Sequence, residues 1–446
     1  MNYALAKRLT GHSATVNCFA FDSQGQLMAS GGDDQRVIIW SMDKLVKFQE
    51  ISNDSWGQIT CLQWLGEESS ASKTLCFGCG RGLIHLYHQT VPGEKFTERC
   101  TIPYQARTSI EAMAYDTQGR RLVVATAHGD IGLWLVPKGG GAPSQSWNAS
   151  LFGTDAVVRG LVFDEDQSSV DVFCTETGTI HTFDIETGTQ SSTPYRIAES
   201  RIGSICHAPT KRYVLIDNLG DGCSMYHYTK TKLELVRSFD VIRKGKLFPF
   251  KAVFAESATL AVSGSDHGKV YIFDATTSRL TQVLCHGKAS VQTVGSFSYS
   301  DQHLIVSGEN GSNATICVYK RSLSRTPAQL QTLLLMIITA VISGFVLLIL
   351  LSTIDIPGPV EKTWNAMPSF SSLTSFRSMA TVQVPHVSES PGSTVPTLDA
   401  GPKFVDNLES LDALDDIDGA DDLDDLDDID DLDTINQGSQ PLCLVP

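Results

Sequence analysis

Short apolar runs separated by Gly, Asp and Ser recur along the first 320 residues. The clearest unit follows Thr10-Gly11-His12 and reads VNCFAFDSQGQLMASGGDDQRVIIWS. It holds an apolar strand, a turn, a second strand ending in small residues, a tight Gly/Asp turn and a third strand ending in an aromatic. Apolar runs this short, bounded by such turns, read as strands rather than helices. Units of roughly 40 to 50 residues with the same order follow six more times. The second and third contain ITCLQWL with TLCFGCGRGLIHLY, ending at Tyr87, and IEAMAYDTQGRRLVVATAHGDIGLW, ending at Trp134. The fourth contains VVRGLVFDEDQSSVDVFCTETGTIHTF, ending at Phe183; the fifth, RIGSICHAPTKRYVLIDNLGDGCSMYHY, closes near Tyr226. The sixth, KAVFAESATLAVSGSDHGKVYIFD, ends at Asp274, and the seventh, VQTVGSFSYSDQHLIVSGENGSNATICVY, at Tyr319. A single sheet cannot bury both its faces, so the units are expected to close into an all-β seven-bladed propeller over 1–320. Residues 2–9 alternate loosely and are predicted to supply the outermost strand of the last blade, locking the ring.

The pattern then changes. Residues 333–354, LLLMIITAVISGFVLLILLSTI, carry no charge. A helix of this length is about 33 Å long, enough for a ~30 Å hydrocarbon core with slight tilt. This predicts a transmembrane helix from Leu333 to Ile354, with the lipid bilayer as its partner, behind a basic juxtamembrane linker at 321–332. Ala340 and Gly344 form a small-xxx-small pair of the kind that lets two helices approach closely. Lys320, Arg321 and Arg325 precede the span, whereas Asp355 and Glu361 follow it with only Lys362 nearby. Basic flanks are retained in the cytoplasm, so the propeller should be cytosolic and the tail exoplasmic or lumenal, with the endoplasmic reticulum as the expected membrane. The N-terminal MNYALAKR lacks the apolar stretch of a cleavable signal peptide, in agreement. Sequons at Asn53, Asn148, Asn310 and Asn313 would then go unused.

The tail, 355–446, falls into two parts. Residues 369–397 are rich in Ser, Thr and Pro and read as a disordered spacer. Residues 406–433 contain 15 acidic residues and no basic one, with Leu, Ile or Ala at every third position from Leu408 to Leu432. A three-residue step gives neither a helix nor a strand an apolar side, and self-repulsion adds to disorder. Dense carboxylates suit weak binding of Ca²⁺ or of a basic partner. The closing Cys443-Leu-Val-Pro446 has only the outline of a prenylation box, since proline is a poor final residue.

The first unit closely resembles a WD-repeat blade, with Gly11-His12 at its start and Ile39-Trp40-Ser41 where that family has Trp-Asp. The resemblance implies that His12, Ser30, Asp34 and Trp40 form the hydrogen-bonded tetrad that ties a blade together. Only this copy keeps the tetrad, so the others are expected to rely on apolar packing. The layout of propeller, late span and lumenal tail is also similar to the endoplasmic-reticulum exchange factor that starts COPII coat assembly. That family carries a potassium-binding glycine run in its first blade; here the equivalent stretch is Ser30-Gly31-Gly32-Asp33-Asp34. Only topology supports that comparison, and a guanine-nucleotide exchange factor for a small GTPase in vesicle trafficking is the alternative reading.

Charge narrows the function classes. The net charge of -16 resides wholly in the tail: 19 of the 50 acidic and three of the 34 basic residues lie from Asp355 onward. The propeller is therefore neutral, which argues against nucleic-acid binding. The 11 cysteines have no regular spacing, and Cys76-x-x-Cys79 has no companion pair to complete a zinc site. Scattered free thiols suit a reducing compartment. No nucleophile-elbow, Walker, zincin or dinucleotide motif is present, and His85, His128, His181 and His267 repeat from blade to blade beside third strands. The chain thus reads as a non-enzymatic scaffold, without cofactor or metal, that binds protein partners. Lys230, Lys232, Arg237, Arg243, Lys244, Lys246 and Lys251 against Glu234 and Asp240 mark a candidate partner-binding basic loop. The PKGGGAPS stretch at 137–144 is expected to be an inter-blade loop.

Overall fold

The computed structural model describes residues 2–323 apart from 67–71, 105–107, 140, 152–156, 176, 192, 198–200, 230–231 and 246–247, together with Thr339 and 342–344. The strands form seven four-stranded antiparallel sheets. Blade 1 runs Val16–Phe21, Leu27–Gly32, Arg36–Ser41 and Val46–Ser52. Blade 2 runs Ile59–Leu65, Lys73–Cys79, Leu83–Gln89 and Thr97–Pro103; blade 3 runs Ile110–Asp116, Arg121–Thr126, Asp130–Leu135 and Ser144–Ser150. Blade 4 is Val158–Phe163, Ser169–Cys174, Thr179–Asp184 and Tyr195–Arg196, and blade 5 is Ser204–Ala208, Tyr213–Asp217, Gly222–Thr229 and Lys232–Asp240. Blade 6 is Ala252–Ala255, Leu260–Ser263, Lys269–Asp274 and Leu280–Cys285. Blade 7 joins Val291–Ser298, Gln302–Glu309 and Thr315–Ser322 to the N-terminal Ala4–Thr10.

The seven first strands touch one another in order around a closed circle, the seventh meeting the first. The apolar layers lie between blades: one cluster joins blades 1 and 2, and further clusters join each successive pair round to 7 and 1. A second strand is covered on both faces, which is why LMASGG is buried throughout and reads as an unbroken run of small and apolar residues. The outermost VKFQEIS stays largely exposed and keeps its polar residues. The N-terminal strand pairs antiparallel with the third strand of blade 7, from Ala4 opposite Lys320 to Thr10 opposite Thr315. One sheet thus contains both ends of the propeller segment, the closure expected from residues 2–9.

Glycine sets the approach of blades. A Cβ on Gly31 would lie 2.5 Å from Ile59 Cγ2, and one on Gly78 would lie 2.6 Å from Ile110 Cγ2. Both are the penultimate residue of a second strand, where the next blade's first strand comes closest.

Two local expectations change. The 137–144 stretch is not an inter-blade loop: it joins the third and outermost strands within blade 3, because that outermost strand begins only at Ser144. The third strand of blade 7 continues to Ser322, so Arg321 belongs to the propeller rather than to a linker. Among the described residues no helix is long and apolar enough to cross a membrane. The predicted span Leu333 to Ile354 lies outside the described residues except Thr339 and 342–344, which are helical, and the acidic tail lies wholly outside them.

Candidate interaction site at the channel mouth

Strand order gives the propeller two unlike faces. The inter-blade connections and the second-to-third turns lie on one, here called the upper face. The first-to-second and third-to-fourth turns lie on the lower.

On blade 1 the structure brings His12, Ser30, Asp34 and Trp40 together. Trp40 Nε1 donates to Ser30 Oγ at 2.8 Å, and Ser30 Oγ lies 2.8 Å from His12 Nε2. His12 Nδ1 is 3.0 and 3.1 Å from the two Asp34 oxygens. One proton arrangement satisfies every buried group: the indole donates to the serine, the serine to Nε2, and Nδ1–H to the carboxylate. Burial pushes the Asp34 carboxyl up, but the bonds from His12 and from the Ser13 and Arg36 amides outweigh it and hold it below its usual range.

Blade 7 lacks the tetrad's Asp and Trp but carries a different polar network around a histidine. On blade 7, His286 Nδ1 lies 2.6 Å from Ser307 Oγ and its Nε2 lies 3.2 Å from Thr315 Oγ1, which donates to Glu309 at 2.8 Å. His286-Gly287 reverses the Gly-His order, and Ser307-Gly308 repeats Ser30-Gly31. Blade 2 substitutes aromatic stacking, with Trp56, Phe77 and His85 centroids 4.5 to 5.1 Å apart. His85 and His181 lie on third strands of blades 2 and 4, whereas His128 and His267 lie in turns of blades 3 and 6, so the four do not converge. Among the described residues no His, Cys, Asp and Glu side chains group as metal ligands do.

What does converge is the upper end of the channel, a concavity of about 380 Å³. Every blade junction carries a hydrogen bond there. Asn17 Nδ2 donates to Ile59 O at 3.1 Å, Thr60 to Ile110 O, and Arg159 Nη1 to Glu111 at 2.9 Å. The Ile202 amide donates to Thr175 O, Ser204 Oγ to Phe250 O at 2.8 Å, the Lys251 amide to Gln292 O, and Thr15 to Asn310 at 3.0 Å. Polar residues opening seven separate strands thereby form one rigid rim. Sequence reading missed it because its members lie far apart along the chain.

The predicted basic loop is dispersed by the fold. Lys232 and Arg237 lie on the outermost strand of blade 5, Lys232 paired with Glu234 at 2.6 Å and Arg237 donating to Thr276 O. Arg243 points inward to the buried Asp217 carboxylate, with its guanidinium 4.9 Å over the Phe250 ring. Burial pushes the Asp217 carboxyl up to about 6 despite that partner. The Lys244 and Gly245 amides donate to Asp266, fixing the connection, and Lys251 alone of the described members lines the mouth. Lys230 and Lys246 lie outside the described residues.

The lower face has a larger concavity, about 710 Å³, beneath blades 3 to 5. Three of its carboxylates have partners: Asp116 with Arg121, Asp164 with Ser168 and Ser169, and Glu165 with Arg212. Burial pushes His207, beside it, down to about 4, so that imidazole is neutral.

A family model described as "WD domain, G-beta repeat" matches residues 4–41. The WD and tetratricopeptide repeats protein 1 of Homo sapiens is 30% identical over 87 residues, 20% of this chain and 13% of its own length. Protein ALTERED SEED GERMINATION 2 of Arabidopsis thaliana is 28% identical over 106 residues, 23% and 14% of the two chains. Pre-mRNA-splicing factor cwf17 of Schizosaccharomyces pombe is 39% identical over 57 residues, 13% and 17% of the two. The chain thus spans less than a fifth of the length of the relatives it matches. The match falls on the blade whose tetrad is complete, and the same four-stranded unit repeats around the channel: the chain is a seven-bladed β-propeller whose first blade is similar to a WD repeat.

Proposed function

We propose that this protein is a membrane-anchored, non-enzymatic scaffold whose cytosolic propeller offers its upper face to protein partners. The observation that carries this reading is the direction in which the chain leaves the propeller. The third strand of blade 7 ends on the lower face, where the Leu323 amide donates to Asp301 O at 2.8 Å. The apolar run begins ten residues later at Leu333, a reach of at most about 35 Å. An anchor so close turns the lower face toward the bilayer and leaves the channel mouth free. Rigid strands with variable connecting loops suit such a role.

Protease treatment of sealed microsomes containing the full chain tests the arrangement. Digestion of the propeller with survival of a small protected tail fragment is expected. A protected propeller, or glycans removable from it, would overturn the topology. Nucleotide release from a panel of small GTPases should be unchanged by the protein; acceleration would refute a passive scaffold.

A further inference from the structure

We propose that the channel mouth receives an extended acidic segment of a protein partner, one carboxylate lying between Lys251 and Arg159 and an adjacent apolar side chain resting on Phe248. This rests on the scaffold reading and names the chemistry of the partner.

The charges at the mouth are unevenly satisfied. Glu111 is paired with Arg159, and Asp33, across the mouth on blade 1, accepts from Asn17 at 2.7 Å but makes no ion pair among the described residues. Lys251, at the start of the first strand of blade 6, makes no ion pair among the described residues, although its backbone is fixed to Gln292. Burial raises the thiols of Cys18, Cys61 and Cys206, on first strands of blades 1, 2 and 5, and the Lys251 charge opposes that rise in all three. Its ammonium is therefore felt across the channel. Arg159 spends Nη1 on Glu111, while a third of its side chain stays exposed on the mouth wall. A carboxylate is the acceptor that best matches the open edge of a guanidinium.

Phe248 supplies the apolar half. It is 39% exposed on the mouth wall, held edge-on against Phe250 at 5.8 Å. Phe250 is itself locked by the Arg243 guanidinium and by its amide bond to Asp217 at 3.3 Å. An exposed aromatic ring packed against a fixed neighbour loses little side-chain freedom on binding, a usual condition for a strong contact. Ile242, 62% exposed, lies on the same connection. At about 380 Å³ the mouth admits a few side chains, not a helix about 10 Å across, so the segment enters extended.

The test is selection from a phage-displayed random-peptide library on the purified full-length chain, followed by fluorescence anisotropy of the enriched peptides. The inference expects peptides carrying Asp or Glu beside Leu, Ile or Phe. Lys251→Gln and Phe248→Ser should each weaken them about tenfold or more without lowering the melting temperature, and raising salt should weaken them further. Enriched peptides without an acid, binding unchanged in both variants, or no enrichment would each overturn it. Partners that crosslink to the upper face yet ignore Lys251→Gln would sink this inference and leave the scaffold standing; partners crosslinking only to the lower face would sink both.

Discussion

Removing the Glu256 carboxylate should loosen the closure of the ring. Glu256 lies in the first-to-second turn of blade 6 and accepts the Tyr3 hydroxyl at 2.6 Å and the Arg321 guanidinium, with His303 Nε2 at 3.9 Å. One side chain thus grips the N-terminal segment and the third strand of blade 7. Glu256, Ser257 and Ala258 have φ of 51°, 54° and 61°. Left-handed conformations cost roughly 1–2 kcal/mol per non-glycine residue, so the turn is held by what surrounds it. Gln282 adds to the grip by bonding both the amide and the carbonyl of Tyr3, at 2.9 and 2.7 Å. In Glu256→Ala the Tyr3 hydroxyl, on a residue only 5% exposed, loses its acceptor, a penalty of about 1–3 kcal/mol. Arg321, a quarter exposed, loses a pair worth about 1 kcal/mol after solvent screening. A total near 3 kcal/mol, at about 2.1 cal/mol/K per residue over roughly 320 residues, lowers the melting temperature by about 4–5 °C. Hydrogen exchange should quicken first at Ala4–Thr10. Glu256→Gln keeps an acceptor for Tyr3 and should lose about half as much. A Glu256→Ala protein with unchanged melting temperature and unchanged exchange at that strand would refute the reasoning.

The remaining predictions concern blade integrity. Ser30→Ala and Ser307→Ala should each cost about 1–3 kcal/mol by urea unfolding, because each strands a buried imidazole partner; a silent Ser307→Ala would show that the blade 7 network does not stabilise its blade. Burial pushes His286 down to about 4, so the unfolded imidazole, with a pKa near 6.5, takes up a proton that the folded one refuses. Stability is therefore full above about pH 6.5 and falls by roughly 3 kcal/mol as pH drops to 4, and His286→Gln should flatten that slope in melting temperature against pH. The lowered Asp34 carboxyl acts in the same sense at lower pH, its contribution present above about 4 and lost as pH falls through its folded pKa. Gly78→Ala places a methyl 2.6 Å from Ile110 Cγ2 and 2.8 Å from Cys61 Sγ. That overlap should cost about 1–3 kcal/mol in unfolding experiments.

The propeller was legible because its signal is local and repeated. Runs such as LMASGG and RVIIWS identify strands one unit at a time, and seven units dictate closure. Even the lock by residues 2–9 was readable, from a loosely alternating segment that precedes the first full unit. The polar machinery was only partly legible. Gly11-His12 with Trp40 announced blade 1, whereas His286-Gly287 with Ser307, Thr315 and Glu309 builds a different network in blade 7. The channel mouth was invisible, since Asn17, Glu111, Arg159 and Lys251 belong to separate blades and become neighbours only when the ring closes. The basic run misled for the complementary reason. Proximity along the chain is not proximity in space: Arg243 turns inward to Asp217 while Lys232 stays on an outer edge.

The most direct test of the account is site-specific photo-crosslinking in cells expressing the full chain. A photoreactive residue is placed at Gln58 or Gln292 on the upper mouth, and at Gln118 or Asp301 on the lower face. The account predicts discrete protein adducts from Gln58 and Gln292, abolished by Lys251→Gln, and lipid contact or no protein adduct from the lower positions. Protein adducts confined to Gln118 and Asp301 would contradict it.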